Sequence, residues 1–245
     1  MKDKKILFSI VVPCFNEEKN IPTLIKEFEK VITNNDIELI LVENGSTDNS
    51  QKILESVTKN HPFAKMVIVP VNKGYGYGIK QGLSVASGKF IGFTHADLQT
   101  DPNDLIKAIE IVKSNNFNEN ILIKGRRKGR PFFDRFFTYG MSFFESIFLR
   151  KILIDINAQP TLFSSIFYEH LKNIPNDFSL DLFLLYFAKV KNQKVIRFNV
   201  FFPPRIHGVS SWNTGIRSKW KFIKRTLLFS VKLKKEIHGN NLSSN

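Results

Sequence analysis

The sequence is short of several features that define common classes of protein. It has one cysteine in 245 residues, Cys14, so no intramolecular disulfide can form and a reducing compartment is permitted. The longest clean apolar run, residues 182–188, is far shorter than the roughly 20 residues that a membrane-spanning helix needs. Acidic residues are also few, with 22 Asp and Glu against 36 Lys and Arg. The net charge of +14 predicts a polyanionic partner such as nucleic acid, anionic lipid or a phosphorylated substrate.

The N-terminus lacks the features of a cleaved signal peptide. Lysines precede an apolar run, but Pro13 interrupts that run and residues 16–18, Asn-Glu-Glu, follow at once. There is no small-residue cleavage site. We therefore expect the run to be a first β-strand, in which Cys14 is a buried small apolar residue.

Several catalytic and nucleotide-binding signatures are missing as well. The glycines in Asn-Lys-Gly-Tyr-Gly-Tyr-Gly at 72–78 do not fit G-x-G-x-x-G, and no Gly-Lys-Ser/Thr follows them, which excludes a P-loop. No Gly-x-Ser-x-Gly occurs, which disfavours a serine hydrolase. The histidines at 61, 170, 207 and 238 lack metal-ligand spacing. Glycines at period two instead predict a loop and helix start that pack closely against another part of the chain.

What the sequence does contain is an alternation of buried strands and helices. Apolar, β-branched runs at 6–12, 37–43, 66–71 and 89–95 predict strands. Helical spacing is present at 22–32, 46–57, 76–86 and 101–113. This order predicts an open, Rossmann-like, mostly parallel α/β sheet with helices on both faces.

Polar residues follow each of these four strands. They are Asn16-Glu17-Glu18, Glu43-Asn44-Gly45, Asn72-Lys73-Gly74 and His95-Ala96-Asp97. In open α/β sheets, ligands bind beyond the carboxyl ends of the strands. We therefore expect the four clusters to form one site.

The motifs in chain order resemble those of the inverting family 2 glycosyltransferases of GT-A fold, and most nearly the dolichyl/polyprenyl-phosphate mannose synthase branch. The likeness is carried by VVPCFNEE at 11–18, LVENGSTD at 41–48 and THADLQTDP at 94–102. It continues more loosely through KGRR at 124–127 and PPRIHGVSSW at 203–212. The resemblance implies an enzyme that uses a nucleotide-activated sugar and a divalent cation, Mg²⁺ or Mn²⁺.

Carried across residue by residue, the resemblance implies a nucleotide-binding set. Its members are Pro13, Phe15, Glu17, Glu43, Asn44 and Ala96. Glu43 and Asn44 replace two aspartates of the family's D-D-G-S, which leaves the base that is read, and the choice between GDP and UDP, open. A plain turn and helix cap is the alternative for residues 44–48.

The family's D-A-D-L-Q segment implies the metal ligands. Here the segment is His-Ala-Asp-Leu-Gln, so Asp97 and Gln99 match and His95 replaces the first acid. His95 either ligates the ion, in which case Mn²⁺ suits a neutral imidazole better than Mg²⁺, or leaves the ion to Asp97, Gln99, diphosphate and water. A site that has lost catalysis is the third alternative.

Further catalytic residues are predicted beyond residue 120. Arg126 and Arg205 fall where the family has arginines near the phosphates, so they are expected to stabilise the leaving group together with Asp97. Arg127, which follows Arg126, belongs either to the same set or to a solvated basic loop. Asp181 is the candidate for an acceptor-side role, with a helix N-terminal acid as the alternative. A hydroxyl acceptor requires a general base, whereas a lipid phosphate requires none.

The positive charge is concentrated at 124–135 and 217–235, where it alternates with aromatic and aliphatic residues. Such basic amphipathic helices are typical of a membrane interface, although packing on the sheet or in a homo-oligomer is an alternative. We therefore expect a protein attached to the inner face of a membrane in the cytoplasm, and no nucleic-acid partner. The expected organisation is a GT-A domain at 1–212, with a nucleotide-binding part at about 1–105 and an acceptor part at about 120–212, then a basic amphipathic helix and disordered tail at 213–245.

The sequence thus predicts a metal-dependent inverting glycosyltransferase that moves a sugar from a GDP- or UDP-sugar to a polyprenyl phosphate. Two alternatives remain at this point. One is transfer to a saccharide hydroxyl of a glycolipid or polysaccharide, and the other is a catalytically silent nucleotide-sugar-binding protein.

Overall fold

The computed structural model describes residues 5–203, Arg205 and residues 216–242. The strands are β1 (Phe8–Cys14), β2 (Ile37–Asn44), β3 (Ala64–Val69), β4 (Phe90–Phe93), β5 (Ile121–Lys128), β6 (Thr161–Ser164) and β7 (Lys194–Phe201). The helices are α1 (Ile21–Val31), α2 (Ser50–Asn60), α3 (Tyr75–Ser84), α4 (Pro102–Ser114), α5 (Phe132–Phe148), α6 (Ser165–Glu169), α7 (Ser179–Val190) and α8 (Ile216–Leu242).

The strands form one sheet in the order β3-β2-β1-β4-β6-β5-β7. All neighbours are parallel except that β6 runs antiparallel to both β4 and β5. The prediction of a mostly parallel sheet is therefore confirmed. Strand β6 was not predicted from the sequence, because four residues without a flanking helical repeat give no periodic signal.

Two apolar clusters cover the two faces of the sheet. Phe8, Ile10 and Val12 of β1 point to one cluster, with α1 and α4, while Val11 points to the other, with α3 and α7. This alternation follows from the two-residue period of a strand. Because β1 is buried on both faces, nearly all its residues are apolar, as the sequence predicted.

The C-terminal helix packs on the rest of the molecule through only part of its surface. Its apolar residues recur at 216, 220, 223, 227 and 231, which gives the amphipathic pattern expected of an interfacial helix. In the structure the buried residues of α8 include Thr226, Ser230 and Leu233, whereas Trp220 and Val231 are exposed. The polar members of the buried stripe face α5, where Ser230 donates a hydrogen bond to Glu145. The helix also runs to Leu242, past the predicted start of a disordered tail.

No helix in the described part of the chain combines the length and apolar character needed to cross a membrane. Most of the predicted PPRIHGVSSW stretch, including Trp212, lies outside the described residues.

Candidate active site

The loops that follow β1 and β2 interlock at the carboxyl edge of the sheet. The amide of Glu17 donates to Ser50 Oγ at 2.9 Å, and the amide of Glu18 donates to Asp48 Oδ2 at 3.2 Å. In return, Asn16 Oδ1 accepts from the amide of Thr47 at 2.8 Å. The two loops predicted to hold a nucleotide are therefore built as one unit.

Glu43 and Asn44 form hydrogen bonds to the backbone beside these two loops. The Glu43 carboxylate accepts from the amides of Gly45 (3.1 Å) and Ser46 (2.5 Å), so it fixes the turn after β2. Asn44 Nδ2 donates to the carbonyl of Gly74 at 3.3 Å, and a Cβ on Gly78 would lie 2.9 Å from the Asn44 side chain. Both residues are buried and support the site's backbone, as the turn-and-cap alternative anticipates.

Asp97, Gln99 and Arg205 form the polar centre of the site. Arg205 Nη2 lies 2.7 Å from Asp97 Oδ2, and Arg205 Nε donates to Gln99 Oε1 at 3.1 Å. Leu98 between them has a left-handed φ of 59°, and the amide of Gln99 donates to Asp97 Oδ1 at 3.1 Å. This tight turn brings both side chains to one guanidinium, although Arg205 is 106 residues from Gln99.

His95 lies beside this centre and is half-buried. Burial lowers the pKa of its imidazole, an effect that the carboxylates of Asp97 and Asp181 oppose. Its ring centroid is 5.8 Å from that of Tyr75, and no described residue hydrogen-bonds to it. The neutral ring has the lone pair that a metal ligand needs.

The remaining predicted nucleotide residues line the same edge. Burial raises the pKa of the Glu17 carboxyl, and the negative charge of Asp97 raises it further, which places Glu17 within electrostatic reach of the centre. Phe15 is 44% exposed, as a stacking platform for a base would be. Pro13 is half-buried at the end of β1, and Ala96 is buried.

The two arginines near the end of β5 differ in their surroundings. Arg126 is exposed, as a phosphate ligand should be. Arg127 is ion-paired to Asp155 at 2.5 Å and largely buried. The alternative of a solvated basic loop is thus wrong for Arg127 because it lies in β5 and holds the segment before β6.

Asp181 lies in a buried network that the sequence reading did not detect. Its Oδ1 accepts from Lys124 Nζ (2.8 Å) and Gln159 Nε2 (2.9 Å), and Lys124 also donates to Thr161 Oγ1 (2.9 Å). Burial lowers the pKa of Lys124, and Asp181 opposes that shift. Lys124 begins the basic segment 124–135. Its position directly after Ile-Leu-Ile in a buried strand was the sequence signal for an internal partner. The acceptor-side role of Asp181 stays a prediction.

The family model described as Glycosyl transferase family 2 matches residues 9–174, about two thirds of the chain. The chain belongs to glycosyl transferase family 2. The family prediction made from the ordered motifs is confirmed.

Two curated family 2 relatives illustrate the similarity. Undecaprenyl-phosphate 4-deoxy-4-formamido-L-arabinose transferase from Yersinia enterocolitica is 34% identical over 117 residues, which are 46% of this chain and 35% of that protein. The uncharacterized glycosyltransferase YkcC from Bacillus subtilis is 32% identical over 134 residues, 54% of this chain and 41% of that protein. The matches thus span about a third to two fifths of these relatives.

The fold is shared with solved structures of other glycosyl-transferring proteins. Glucosyl-3-phosphoglycerate synthase from Mycobacterium tuberculosis, in complex with Mn²⁺, uridine diphosphate and glucosyl-3-phosphoglycerate, matches 92% of this chain and 80% of its own with a TM-score of 0.69. The sequence identity is 20%, so the likeness shows the fold alone. The GT-A prediction is confirmed.

The oxygen-bearing side chains of this site fit a divalent cation. Among the described residues, no cluster of three or more His, Cys, Asp or Glu side chains forms a protein-only metal cage. Asp97 and Gln99, however, direct oxygen atoms at the same cationic group, the Arg205 guanidinium. Mg²⁺ and similar ions are commonly held by one or two carboxylates plus substrate phosphates and water. The donor set therefore suits an ion that arrives with a diphosphate.

Proposed function

We propose that this protein is a metal-dependent inverting glycosyltransferase that moves a sugar from a nucleoside-diphosphate sugar to a lipid phosphate at a membrane surface. The observation that carries the proposal is the cluster of Asp97, Gln99 and Arg205 at the rim where the loops of β1, β2 and β4 meet. A carboxylate, an amide oxygen and a guanidinium together match a diphosphate and its counter-ion.

The chemistry requires stabilisation of negative charge on the leaving group. When the bond between sugar and phosphate breaks, a nucleoside diphosphate departs with added charge. Arg205 donates hydrogen bonds to it, and Asp97 with Gln99 would hold the cation, whose bound form supplies Lewis-acid stabilisation of the same oxygens. His95 is the further candidate ligand on this edge.

The surroundings of Asp181 favour an acceptor that is already ionised. A general base for a hydroxyl must reach the proton that it removes. Asp181 is 1% exposed, and Lys124 and Gln159 both bind one of its oxygens. A phosphate monoester of a lipid needs no base, so this arrangement supports the lipid phosphate over a saccharide hydroxyl.

A groove and a cationic hollow near β5 offer the chemistry of such an acceptor. The groove, about 340 Å³, is lined by Phe132, Phe136, Tyr139, Gly140 and Phe143 together with Arg135. The adjoining hollow shares Arg135 and Tyr139 with it and adds further basic side chains, namely Arg126, Arg127, Lys128 and Arg130. Apolar and cationic surfaces side by side suit a molecule with an anionic head and an isoprenoid tail.

The same surface supports attachment to a membrane. Phe132, Phe136, Phe143, Ile147 and Ile152 are each more than 60% exposed. Large exposed apolar patches on soluble domains mark interaction sites, and basic neighbours favour anionic lipid. The proposed location is the cytoplasmic inner face of a membrane. The alternative is a homo-oligomer in which a second copy of the protein covers this patch.

The substitution Asp97→Asn tests the proposal. We expect transfer from UDP- or GDP-linked sugars to a polyprenyl phosphate, measured with Mn²⁺ and with Mg²⁺, to fall at least ~100-fold because the carboxylate ligand is lost. Asp101→Asn is the matched control, since Asp101 caps α4 through the amide of Asn103 and asparagine caps helices equally well. Full transfer by Asp97→Asn, or no transfer by the unaltered protein with any such donor, would contradict the proposal.

A further inference from the structure

Four side chains are in contact, one after the next, from the C-terminal helix to the polar centre. The guanidinium carbon of Arg225 in α8 lies 5.2 Å from the ring centroid of Phe178. The Phe178 ring is stacked on Tyr75 at 4.6 Å with an interplanar angle of 10°. The other neighbour of Tyr75 is His95, at 5.8 Å and 30°. This row, Arg225–Phe178–Tyr75–His95, is called the aromatic relay below.

The segment that carries Phe178 is also locked to the glycine-rich start of α3. The amide of Tyr77 donates to the carbonyl of Asn176 at 2.9 Å, and Lys80 Nζ donates to the carbonyl of Ile174 at 2.9 Å. A Cβ on Gly74 would overlap the Asn176 carbonyl, and one on Gly76 would lie 2.6 Å from the Pro175 carbonyl. The glycines at 74 and 76 are therefore required by close contact with the backbone of residues 175–177.

Both ends of this assembly reach the site. Asn44, the last residue of β2, donates to the carbonyl of Gly74, and Gln159 Nε2 lies 3.3 Å from the Tyr75 hydroxyl. His95 is two residues from Asp97 on the β4 loop. Phe178 is therefore connected by direct contacts to Tyr75, and through Tyr75 to His95 on the β4 loop.

The outer end of the row is Arg225, which belongs to α8. Arg225 Nε lies 3.5 Å from Asp177 Oδ2, and both side chains are more than one third exposed. An exposed ion pair at that distance contributes little by itself. The guanidinium lying over the Phe178 ring adds a cation–π contact, which holds the ring against α8.

We propose that Arg225 is a positioning residue of the donor site, which acts through Phe178 and Tyr75 on the 74–78 segment and on His95. The proposal builds on the proposed function, since it assumes that these loops bind a nucleoside diphosphate. It makes α8 a part of the catalytic unit as well as a surface helix.

The test compares Arg225→Ala with Lys224→Ala, its exposed neighbour on α8 that loses the same charge away from the aromatic relay. Two quantities are measured. The first is the dissociation constant for UDP and for GDP, each with Mn²⁺, by calorimetry. The second is amide hydrogen exchange at residues 74–82 in the ligand-free protein.

We expect Arg225→Ala to weaken nucleotide binding about 5–10-fold and to accelerate exchange at 74–82, while Lys224→Ala changes neither. Arg225→Lys, which keeps a cation able to lie over the ring, should restore most of the affinity. Equal binding and equal exchange in Arg225→Ala and the unaltered protein would overturn the proposal.

The variant Phe178→Leu distinguishes loss of the aromatic relay from detachment of the whole α8 helix. This variant removes the stacking ring and leaves every residue of α8 in place, so exchange should rise at 74–82 and stay unchanged at 226–233. If exchange rises only within α8, the relay does not exist. If the unaltered protein binds neither nucleotide, the proposed function fails, and the exchange comparison still decides the role of Arg225.

Discussion

At the scale of single residues, charge inside the molecule is handled by close pairing. Lys124 and Asp181 are 1% and 2% exposed at their side chains and lie 2.8 Å apart. A charge buried without a partner is far more costly than a buried pair. The pair therefore holds β5 to α7 directly beneath the site.

The first prediction concerns this pair. Asp181→Leu should lower the free energy of unfolding by about 3–5 kcal/mol, because Lys124 is left charged and unpaired in the interior. The double variant Lys124→Met/Asp181→Leu should recover most of that loss. Urea unfolding followed by circular dichroism measures both. A single variant that is as stable as the unaltered protein, yet inactive, would assign Asp181 to the acceptor instead.

The structure brings together predicted site residues whose determinant is local in the sequence. Asp97 and Gln99 stand in one short segment whose order could be read directly, and Arg205 followed from the resemblance. Lys124 and Asp181 are 57 residues apart, and their pairing depends on how α7 packs on β5. Sequence spacing carries no signal for such a contact.

At the scale of elements, two helical glycines show that the same residue type can have opposite effects on stability. Gly82 of α3 is buried against Val11 and Val42 of the sheet, where a Cβ would overlap a Val11 methyl group. Gly140 of α5 is exposed, and an added Cβ would meet nothing within 4 Å. The first glycine allows close packing of helix on sheet, while the second only weakens its helix.

The second prediction follows from this difference. Gly82→Ala should destabilise the protein by about 1–3 kcal/mol through overpacking. Gly140→Ala should stabilise it by about 0.5–1 kcal/mol through helix propensity. Midpoints of urea unfolding for the two variants would show the opposite signs, and shifts in the same direction would refute the packing assigned to α3.

The contact between α5 and α8 contains a buried acid without a cationic partner. Glu145 is 0% exposed; Ser230 of α8 donates to its Oε2 at 2.6 Å, and its Oε1 has no partner among the described residues. Burial raises the pKa of Glu145 to about 7. Lys234, the nearby base on α8, lies over the Phe148 ring at 4.4 Å.

The third prediction is a pH dependence with a defined sign. Because the folded pKa lies above the ordinary value of 4.5, Glu145 binds its proton more tightly in the folded state. Its contribution is fully present below about pH 4.5 and is lost as pH rises through about 7.

Glu145→Gln should remove this dependence and add on the order of 2 kcal/mol at pH 8. Unfolding measured from pH 5 to pH 8 would reveal it as a stability difference between the variant and the unaltered protein that grows as pH rises. A parallel pair of curves for the variant and the unaltered protein would rule it out.

Element boundaries were predicted less well than element types. The third strand was expected at 66–71 and lies at Ala64–Val69. The aromatic segment FFTYGMSFFESIFLRKIL at 136–153 has helical spacing, whereas the fifth helix begins at Phe132 and ends at Phe148. Pro131 ends the preceding turn and starts that helix, which outweighs the polar-apolar pattern used to place it.

At the scale of the whole molecule, charge and exposed apolar area coincide. The chain carries a net charge of +14, and the aromatic face of α5 is open to solvent. Basic residues and exposed phenylalanines on one surface favour an anionic bilayer over neutral lipid.

The fourth prediction tests this surface. The protein should co-sediment with vesicles rich in phosphatidylglycerol, bind phosphatidylcholine vesicles weakly, and dissociate as salt is raised. Phe136→Ser/Phe143→Ser should reduce the bound fraction several-fold. Ile68→Ser, an exposed apolar residue on edge strand β3, is the control. Vesicle binding that is unchanged by salt and by the α5 substitutions would refute the proposed membrane attachment. Self-association of the protein would favour an oligomer.

The reversed strand β6 has a consequence for dissecting the enzyme. Residues 1–105 were expected to hold the nucleotide, which invites expressing them alone. However, Phe90 to Phe93 of β4 pair with Thr161 to Ser164 of β6, so a cut after residue 105 would strip β4 of that neighbour. The fragment would present a bare, apolar sheet edge and should self-associate in place of yielding a minimal nucleotide-binding module.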